Sequence, residues 1–264
     1  MKIDIYNFIL NNMQKILHLK SNNTKYNHKI IFDSLIYILK SGISWNSKII
    51  LNEHVIFCNS IYKHFIRLTK LNFFSKILNK IKRKFLHNNN AHDFVSVDST
   101  FIPNKYCYHN NKIKRNPYKS NKFGYKISII TNQQNIPLDI LFSNGNDHDL
   151  TILNKHINKP TMRKYLTNKY LLADKGYKSN KLKSKLIDKF NCHIILPNTK
   201  SFHPDTHLKS IYKKRIFIEH LFSKIKNYKR LANNYEKCIT NFYSFVYLSL
   251  IQLCIIREKK EEKQ

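Results

Sequence analysis

The feature that most constrains the fold is the order of strand-like and helix-like segments in the second half of the chain. Three segments with strand-type alternation come first, at Phe94–Thr100, Tyr125–Ile130 and Ile136–Phe142. Helix-like and strand-like runs then alternate: a helix at Asp149–Ile157, a strand at Tyr170–Asp174, a helix at Asn180–Lys189, a strand at His193–Leu196 and a helix from Tyr212. Strands separated by helices are typical of parallel crossovers, whereas the first three segments predict an antiparallel meander.

An antiparallel meander followed by two strands that return through helices is the order of a ribonuclease-H-like α/β domain. We therefore predict a mixed sheet flanked by helices, built from residues 91–264.

The first 90 residues have a different pattern, because apolar residues recur there at helical spacing. The predicted helices are Ile5–Leu17, Lys29–Leu39, Cys58–Leu68 and Leu71–Phe85. Short helices with polar turns and a basic run at Lys80–Lys84 resemble a helix-turn-helix unit, so we predict an all-α DNA-binding region. The apolar positions themselves are expected to form an ordinary helical core. His87–Ala91, which contains three Asn in a row, is the predicted linker.

The chain is strongly basic. It has 47 Lys and Arg against 16 Asp and Glu, a formal net charge of +31 over 264 residues. Nucleic acid is the usual partner of such a protein. Codon bias in an A+T-rich genome also raises Lys, Asn and Ile content, so charge alone leaves that alternative open. The 17 Phe and 16 Tyr exclude a disordered basic tail, and the 42% of hydrophobic residues can form a core.

The cysteine and hydropathy patterns predict an intracellular protein without structural zinc. The five cysteines form no CxxC pair and the thirteen histidines show no zinc-finger spacing. The N-terminus is too polar for a signal peptide. The longest apolar run, Phe245–Ile256, is shorter than a membrane span, so we expect a soluble protein and no membrane partner.

The segment Tyr212–Lys226 carries an unusual polar face if it is a single helix. At 100° per residue, Tyr212, Arg215, Glu219 and Lys226 fall within roughly a 60° wedge. Phe217, Ile218, Leu221 and Ile225 gather on the opposite side, which predicts a packed face. A carboxylate among cations suits a metal site beside a phosphate. The alternative is a surface helix with an ordinary Arg215–Glu219 pair.

Three carboxylates occupy related places in this predicted fold. Asp98 ends the first predicted strand, Asp174 ends the fourth, and Glu219 lies on the polar face of the last helix. Sites in open α/β sheets form at the carboxyl ends of strands, so Asp98 and Asp174 are expected to be neighbours. Oxygen ligands without His or Cys suit Mg²⁺ or Mn²⁺. Each Asp alone could equally be a cap or turn residue.

These motifs together resemble the DDE transposases of bacterial insertion sequences, in the IS4/IS5-like superfamily. Tyr212, Arg215, Glu219 and Lys226 match that group's Tyr-x2-Arg-x3-Glu-x6-Lys motif. SVDST resembles its first-Asp segment and LLADKGY its second. The segment ILKSGISW resembles the family's helical N-terminal region, although SGISWNSK lacks the usual Leu-Pro and the basic residue after Trp45.

The resemblance implies a ribonuclease-H-like core that binds terminal inverted repeats, cuts the element's ends and joins them to target DNA. It implies that Asp98, Asp174 and Glu219 are catalytic and hold Mg²⁺ or Mn²⁺, in a pair of ions. Tyr212, Arg215 and Lys226 would contact double-stranded DNA near the cleaved phosphate. The enzyme would act as a homo-oligomer on DNA, in the cytoplasm and nucleoid if the host is prokaryotic.

Two other functions remain open on sequence grounds: a stand-alone ribonuclease-H-like nuclease, and an inactive, domesticated DNA-binding protein. Two residues are also left open. Asp149 is predicted to be a helix N-cap, with a place behind the metal site as the alternative. Lys175 either contacts phosphate or is simply solvated.

Overall fold

The computed structural model describes residues 4–17, 26–87, 93–104, 114–117, 122–197 and 206–261. The helices in these ranges are α1 (Ile5–Leu17), α2 (His28–Ser41), α3 (Cys58–Lys70), α4 (Phe73–His87), α5 (Asp149–Ile157), α6 (Arg163–Leu166), α7 (Asn180–Phe190), α8 (Thr206–Lys213), α9 (Ile216–Lys226), α10 (Lys229–Ala232) and α11 (Ile239–Glu261). The strands are β1 (Lys48–Leu51), β2 (His54–Phe57), β3 (Phe94–Pro103), β4 (Arg115–Asn116), β5 (Lys122–Asn132), β6 (Pro137–Asn144), β7 (Tyr170–Leu172) and β8 (His193–Ile195).

Residues Leu86–Lys224 form a compact unit built on a mixed sheet. β6, β5 and β3 are antiparallel neighbours, and β7 and β8 continue the sheet parallel to β3. The strand order is therefore β6–β5–β3–β7–β8, with short β4 also paired to β5. This arrangement confirms the predicted ribonuclease-H-like α/β sheet. A short turn joins β5 to β6, and helices precede the parallel strands β7 and β8 along the chain.

The two faces of this sheet pack against different helices because successive side chains of a strand point to opposite faces. On one face, Val95 and Val97 pack with Leu153 of α5 and Leu186 of α7. On the other face, Phe94 packs with Leu172, Ile195 and, from α8, Ile211. Alternation along β3 therefore places Asp98 on the α8 face and Ser99 on the α5 face.

Strand β3 is longer than predicted. It runs to Pro103 and pairs with β5 from Val95 onward, so Asp98 lies in the middle of a strand and not at its end. The predicted linker His87–Ala91 and the predicted basic loop Lys105–Lys122 lie largely outside the described residues.

The second compact unit joins Met1–Phe85 to Ile225–Gln264. The residues after Ile225, which the sequence analysis attached to the catalytic domain, thus group with the N-terminal helices. The reason is apolar burial: α11 packs against α1, α2 and α3. Phe242 and Phe245 of α11 are fully buried, and Phe245 stacks on Phe65 of α3.

The N-terminal region also contains a hairpin, so the prediction that it is entirely helical was wrong. β1 and β2 pair with Ile49 opposite Ile56, and both of these side chains are buried. Asn52 and Glu53 form the turn with positive φ values of 47° and 66°. Two consecutive left-handed residues match the twist of a two-residue hairpin.

Helix α11 is longer than the apolar run that the sequence analysis singled out. Its stretch Ile239–Lys260 is long and apolar enough to cross a membrane by length and composition alone. Within the structure, 67% of its most apolar 18-residue window is buried. A core helix packed inside its own unit meets the same test, and the contacts of Phe242 and Phe245 are those of a core helix.

A buried polar network joins β5, β6 and α5 on one face of the mixed sheet. The His156 ring is fully buried, with Nδ1 2.7 Å from Asp139 Oδ2 and Nε2 3.0 Å from Ser128 Oγ. Lys159 Nζ donates to both Asp139 oxygens, at 2.9 and 2.8 Å. The carboxylate can only accept from Nδ1–H, so a neutral His156 accepts at Nε2 from the Ser128 hydroxyl.

This network predicts that acid destabilises the unit. Burial lowers the pKa of His156, against the opposing effect of Asp139. Burial acts to raise the pKa of Asp139, but hydrogen bonds from His156 and Lys159 outweigh it and lower that pKa. The folded protein therefore binds fewer protons than the unfolded chain, first below the ordinary His pKa of about 6.5 and then below that of Asp, about 3.9.

We expect Tm to fall as the pH decreases below about 6.5, and to fall less steeply in His156→Gln. His220→Gln is the matched control, since His220 lies in the same unit and is exposed. Scanning calorimetry from about pH 8 to pH 5 measures the slopes. Equal slopes in wild type and His156→Gln would remove His156 from the acid response.

Candidate active site

Asp98 is held in the sheet by β3 and is largely buried. Its Oδ1 accepts a hydrogen bond from the Ser99 backbone N–H at 2.8 Å, and Oδ2 lies 3.5 Å from Arg215 Nη1. Burial raises the pKa of Asp98 to about 6, the Ser99 N–H and Arg215 act to lower it, and the nearby Asp174 and Glu219 carboxylates raise it further. Asp98 is therefore a desolvated carboxylate with few compensating partners.

Asp174 is brought beside Asp98 by the register of two parallel strands. Ser96 of β3 pairs with Leu172, the last residue of β7. Asp98 and Asp174 each follow two residues later, so they lie at the same height along the two parallel segments. Asp174 caps the 3₁₀ turn Lys175–Tyr177, where its Oδ1 accepts from the Lys175 N–H at 2.7 Å. The prediction that these two carboxylates are neighbours is correct in the structure, and their charges interact.

The segment Tyr212–Lys226 is not the single helix that the sequence predicts. α8 ends at Lys213 and α9 begins at Ile216, with a turn between them. Bonds of 3₁₀ type cross the junction, from Arg215 N–H to Tyr212 O at 2.9 Å and from Ile218 N–H to Arg215 O at 3.1 Å. No Gly or Pro marks this break in the sequence.

The packed face of α9 also differs from the prediction at one residue. Ile218, Leu221 and Ile225 are buried as predicted, but the Phe217 side chain is 46% exposed. The helical-wheel angle of Phe217 was calculated from Tyr212 at 100° per residue. The 3₁₀-type turn before Ile216 has a different rotation per residue, so that angle is wrong for residues of α9.

Arg215 is the cation around which the carboxylates gather. Its side chain is only 12% exposed and forms ion pairs with Asp98 and with Glu219, four residues later in α9. Glu219 is half-exposed, at 49%. Tyr212 is beside Arg215, and its hydroxyl donates to the Ala173 carbonyl at 3.4 Å, next to Asp174. Burial raises the pKa of Tyr212.

The structure therefore brings together five of the six predicted site residues, all within one compact unit. Lys226 is the sixth; it is exposed at the last residue of α9 and belongs to the other unit. Carboxylates from β3, from the end of β7 and from α9 meet around one guanidinium.

Most of the chain, including the site, matches the model of a known protein family. The profile of the family described as Transposase DDE domain matches residues 89–251, which is more than half of the chain. The chain belongs to the DDE transposase family. The matched range contains all six residues predicted for the site. No curated protein sequence matches the chain. Among solved structures, the "Mos1 transposase paired-end complex with left transposon end" is similar over 94% of this chain and 78% of that one, with 12% identity and a TM-score of 0.29.

The donor atoms of the transposase site fit a hard divalent cation, the kind of metal that DDE transposases generally use. All three candidate ligands are carboxylates, which suit Mg²⁺ or Mn²⁺ better than zinc or copper. Arg215, 3.5 Å away, compensates the desolvated Asp98 carboxylate only in part, because the pKa of Asp98 stays raised, so a further cation beside Asp98 would be favourable. Among the described residues, no group of three His, Cys, Asp or Glu side chains is already set as a ligand cluster.

Asp149 does not cap helix α5, contrary to the prediction. His148 is the N-cap, and its ring Nδ1 accepts from the Leu150 N–H at 3.3 Å. Asp149 instead accepts one hydrogen bond from the Ser99 hydroxyl and a second one from Lys126 Nζ at 3.1 Å. Lys175 is exposed, so its side chain is solvated in the protein alone.

The sequence analysis missed Ser99, Lys126 and Tyr177, which surround Asp149 near the carboxylates. Two of them could have been predicted from the sequence, because Ser99 lies in SVDST and Tyr177 in LLADKGY, the two motifs that carry the resemblance. Lys126 had no local signal, since it is one of many Lys residues in the chain.

Proposed function

We propose that this transposase binds the terminal inverted repeats of an insertion sequence, cleaves the DNA at those ends and joins them to target DNA. The observation that supports this function is the meeting of Asp98, Asp174 and Glu219 around Arg215 in a DDE transposase. In the proposal these carboxylates are catalytic and bind two Mg²⁺ or Mn²⁺ ions. Such ions activate the attacking oxygen and stabilise the leaving oxygen of a phosphodiester.

The side chains around the carboxylates have separate roles in the proposal. Arg215 places a guanidinium, which matches phosphate geometry, within the carboxylate cluster. Tyr212 lies on the same side and offers a ring and a hydroxyl to DNA. Lys226 is exposed two helical turns after Glu219 and supplies a point charge for a phosphate. We expect all binding to weaken steeply with salt, because phosphate contacts release counterions.

The N-terminal helices, residues 1–90, are proposed to read the end sequence. Helix α4 presents Lys76, Asn79 and Arg83 on its exposed face, opposite buried Ile77 and Ile81. Asn and Arg are side chains that read base edges in the major groove. Removal of residues 1–90 would uncover the face of α11 that packs on α1–α3, so this role is best tested in the full chain.

Strand joining separates a transposase from a nuclease of the same fold. We expect a pre-cut terminal repeat, incubated with plasmid and Mg²⁺ or Mn²⁺, to yield covalently joined products, and a scrambled end to yield few. Joining requires a second duplex near the same carboxylates. The basic loop Lys105–Lys122 is proposed, on sequence grounds, to hold that duplex. Hydrolysis of ends without joined products, across several candidate repeats and both metals, would favour the nuclease.

Lys226→Ala is expected to weaken end binding and joining about tenfold, or about 1.4 kcal/mol, and to affect Tm less, because Lys226 is exposed. Lys224→Ala is the matched control, because Lys224 is exposed on the same helix but projects about 160° away. Equal joining by both variants would remove Lys226 from the DNA contact.

A further inference from the structure

Asp149 is a charged residue near the active site that the proposed chemistry does not use. It begins α5 without capping it and points its carboxylate at β3 and β5. Its Oδ1 accepts hydrogen bonds from the Ser99 hydroxyl and from Lys126 Nζ. Lys126 also donates to the Asp147 carbonyl at 2.8 Å, and its side chain is only 13% exposed. Asp149 is thus fixed on two sides by partly buried partners.

Ser99 connects this carboxylate to Asp98. The two residues are consecutive in β3, so their side chains project from opposite faces of the sheet. The Ser99 backbone N–H donates to Asp98 Oδ1 at 2.8 Å on one side. The Ser99 hydroxyl donates to Asp149 on the other. A shift or rotation of Ser99 would therefore move the hydrogen bond that orients the Asp98 carboxylate.

Tyr177 connects the same cluster to Asp174. Tyr177 is 2% exposed, and its hydroxyl lies beside Ser99 and within the electrostatic reach of Asp149. Its backbone N–H donates to the Asp174 carbonyl at 3.0 Å, which closes the 3₁₀ turn that Asp174 caps. The Tyr177 hydroxyl is buried without a hydrogen-bond partner of good geometry, and the residue packs in the apolar cluster on the α5 face of the sheet.

We propose that Asp149 is a positioning residue that sets the orientation of the Asp98 carboxylate through Ser99. It is not a metal ligand, because it lies on the α5 face of β3, while Asp98 projects to the α8 face. The inference rests on the proposed function, in which Asp98 and Asp174 bind the metal. Groups that orient metal ligands through hydrogen bonds commonly change metal affinity or activity by 10–100-fold.

Asp149→Asn tests this role with two independent measurements in the full chain. Titration calorimetry with Mn²⁺ on the DNA-free protein is expected to show affinity reduced by about 10–100-fold, and end cleavage should require correspondingly more Mn²⁺. Affinity for the terminal repeat should stay within about twofold, since the carboxylate lies away from the proposed DNA side. Asp147→Asn is the matched control: its side chain makes only a 3.9 Å ion pair with Lys155.

Changes at Ser99 separate positioning from simple loss of stability. Ser99→Ala should reproduce the loss of Mn²⁺ affinity. The double variant Ser99→Ala/Asp149→Asn should be no worse than Ser99→Ala alone, because both changes act on the same hydrogen bond: Ala removes its donor, and Asn replaces its charged acceptor by a neutral amide oxygen. Ser99→Thr keeps the hydroxyl and should bind Mn²⁺ like the wild type. An Asp149→Asn protein with reduced Tm but wild-type Mn²⁺ affinity would overturn the proposal, as would additive losses in the double variant.

Asp98→Asn, assayed in parallel, distinguishes the failure of this inference from the failure of the proposed function. Wild-type cleavage by Asp98→Asn would refute the proposed function. Inactive Asp98→Asn together with wild-type Asp149→Asn would refute only the positioning role. Should no terminal repeat be cleaved, the Mn²⁺ titrations of the same variants still decide the inference.

Discussion

Replacing Asp98 by Asn is expected to reduce metal-dependent strand cleavage by more than about 100-fold. Loss of a residue that only hydrogen-bonds to a metal ligand typically costs about 10–100-fold, and loss of a ligand itself should cost more. Asp174→Asn and Glu219→Gln are expected to do the same. Each change replaces one charged ligand oxygen by an amide of nearly the same shape, which weakens metal binding and leaves the side-chain volume unchanged. None adds negative charge, so end binding should stay within a few-fold of the wild type.

The measurement is cleavage of a labelled terminal repeat, with binding followed separately by fluorescence anisotropy in Ca²⁺. Asp188→Asn is the control, since Asp188 is exposed on α7. A variant that keeps full cleavage would remove that residue from the triad. Loss of cleavage by Asp188→Asn as well would mean that the assay reports folding and not the metal site.

Replacing Glu236 by Ala is expected to lower the free energy of unfolding of the unit formed by Met1–Phe85 and Ile225–Gln264 by about 3–5 kcal/mol. Arg230 and Glu236 are 4% and 5% exposed and bond through Arg230 Nε at 2.8 Å. Arg230 also donates to the Ile43 carbonyl at 2.9 Å and lies 4.9 Å from the Trp45 ring. Loss of the carboxylate leaves a buried guanidinium without its counter-charge, which is the costly case.

Trp45 is the single tryptophan of the chain and lies beside Arg230, so its fluorescence during urea unfolding reports on the unit that contains the Arg230–Glu236 pair. Glu236→Gln retains an acceptor and should cost less than Glu236→Ala. Arg230→Met/Glu236→Leu should be less destabilised than Glu236→Ala, because no unpaired charge remains. A loss below about 1 kcal/mol in Glu236→Ala would show that water reaches Arg230.

Local sequence pattern predicted individual elements well where a helix or strand is long and periodic. The predicted helix Ile5–Leu17 has the observed bounds of α1, and the predicted antiparallel meander followed by two strands reached through helices is the observed arrangement. The β1–β2 hairpin was missed because its strands have four residues each and lie between helices. The junction between α8 and α9 was missed because no Gly or Pro signals it.

The sequence by itself determined the residue types of the site and the elements that carry them, because periodicity and motif spacing are local properties. It named Asp98, Asp174, Arg215 and Glu219 and indicated the DDE transposase family. Only the tertiary structure decided how these residues meet. The register of β3 with β7 places Asp98 level with Asp174, and the turn before α9 lets Arg215 reach Asp98. Pairing across distant strands depends on packing of the whole sheet, which no local pattern contains.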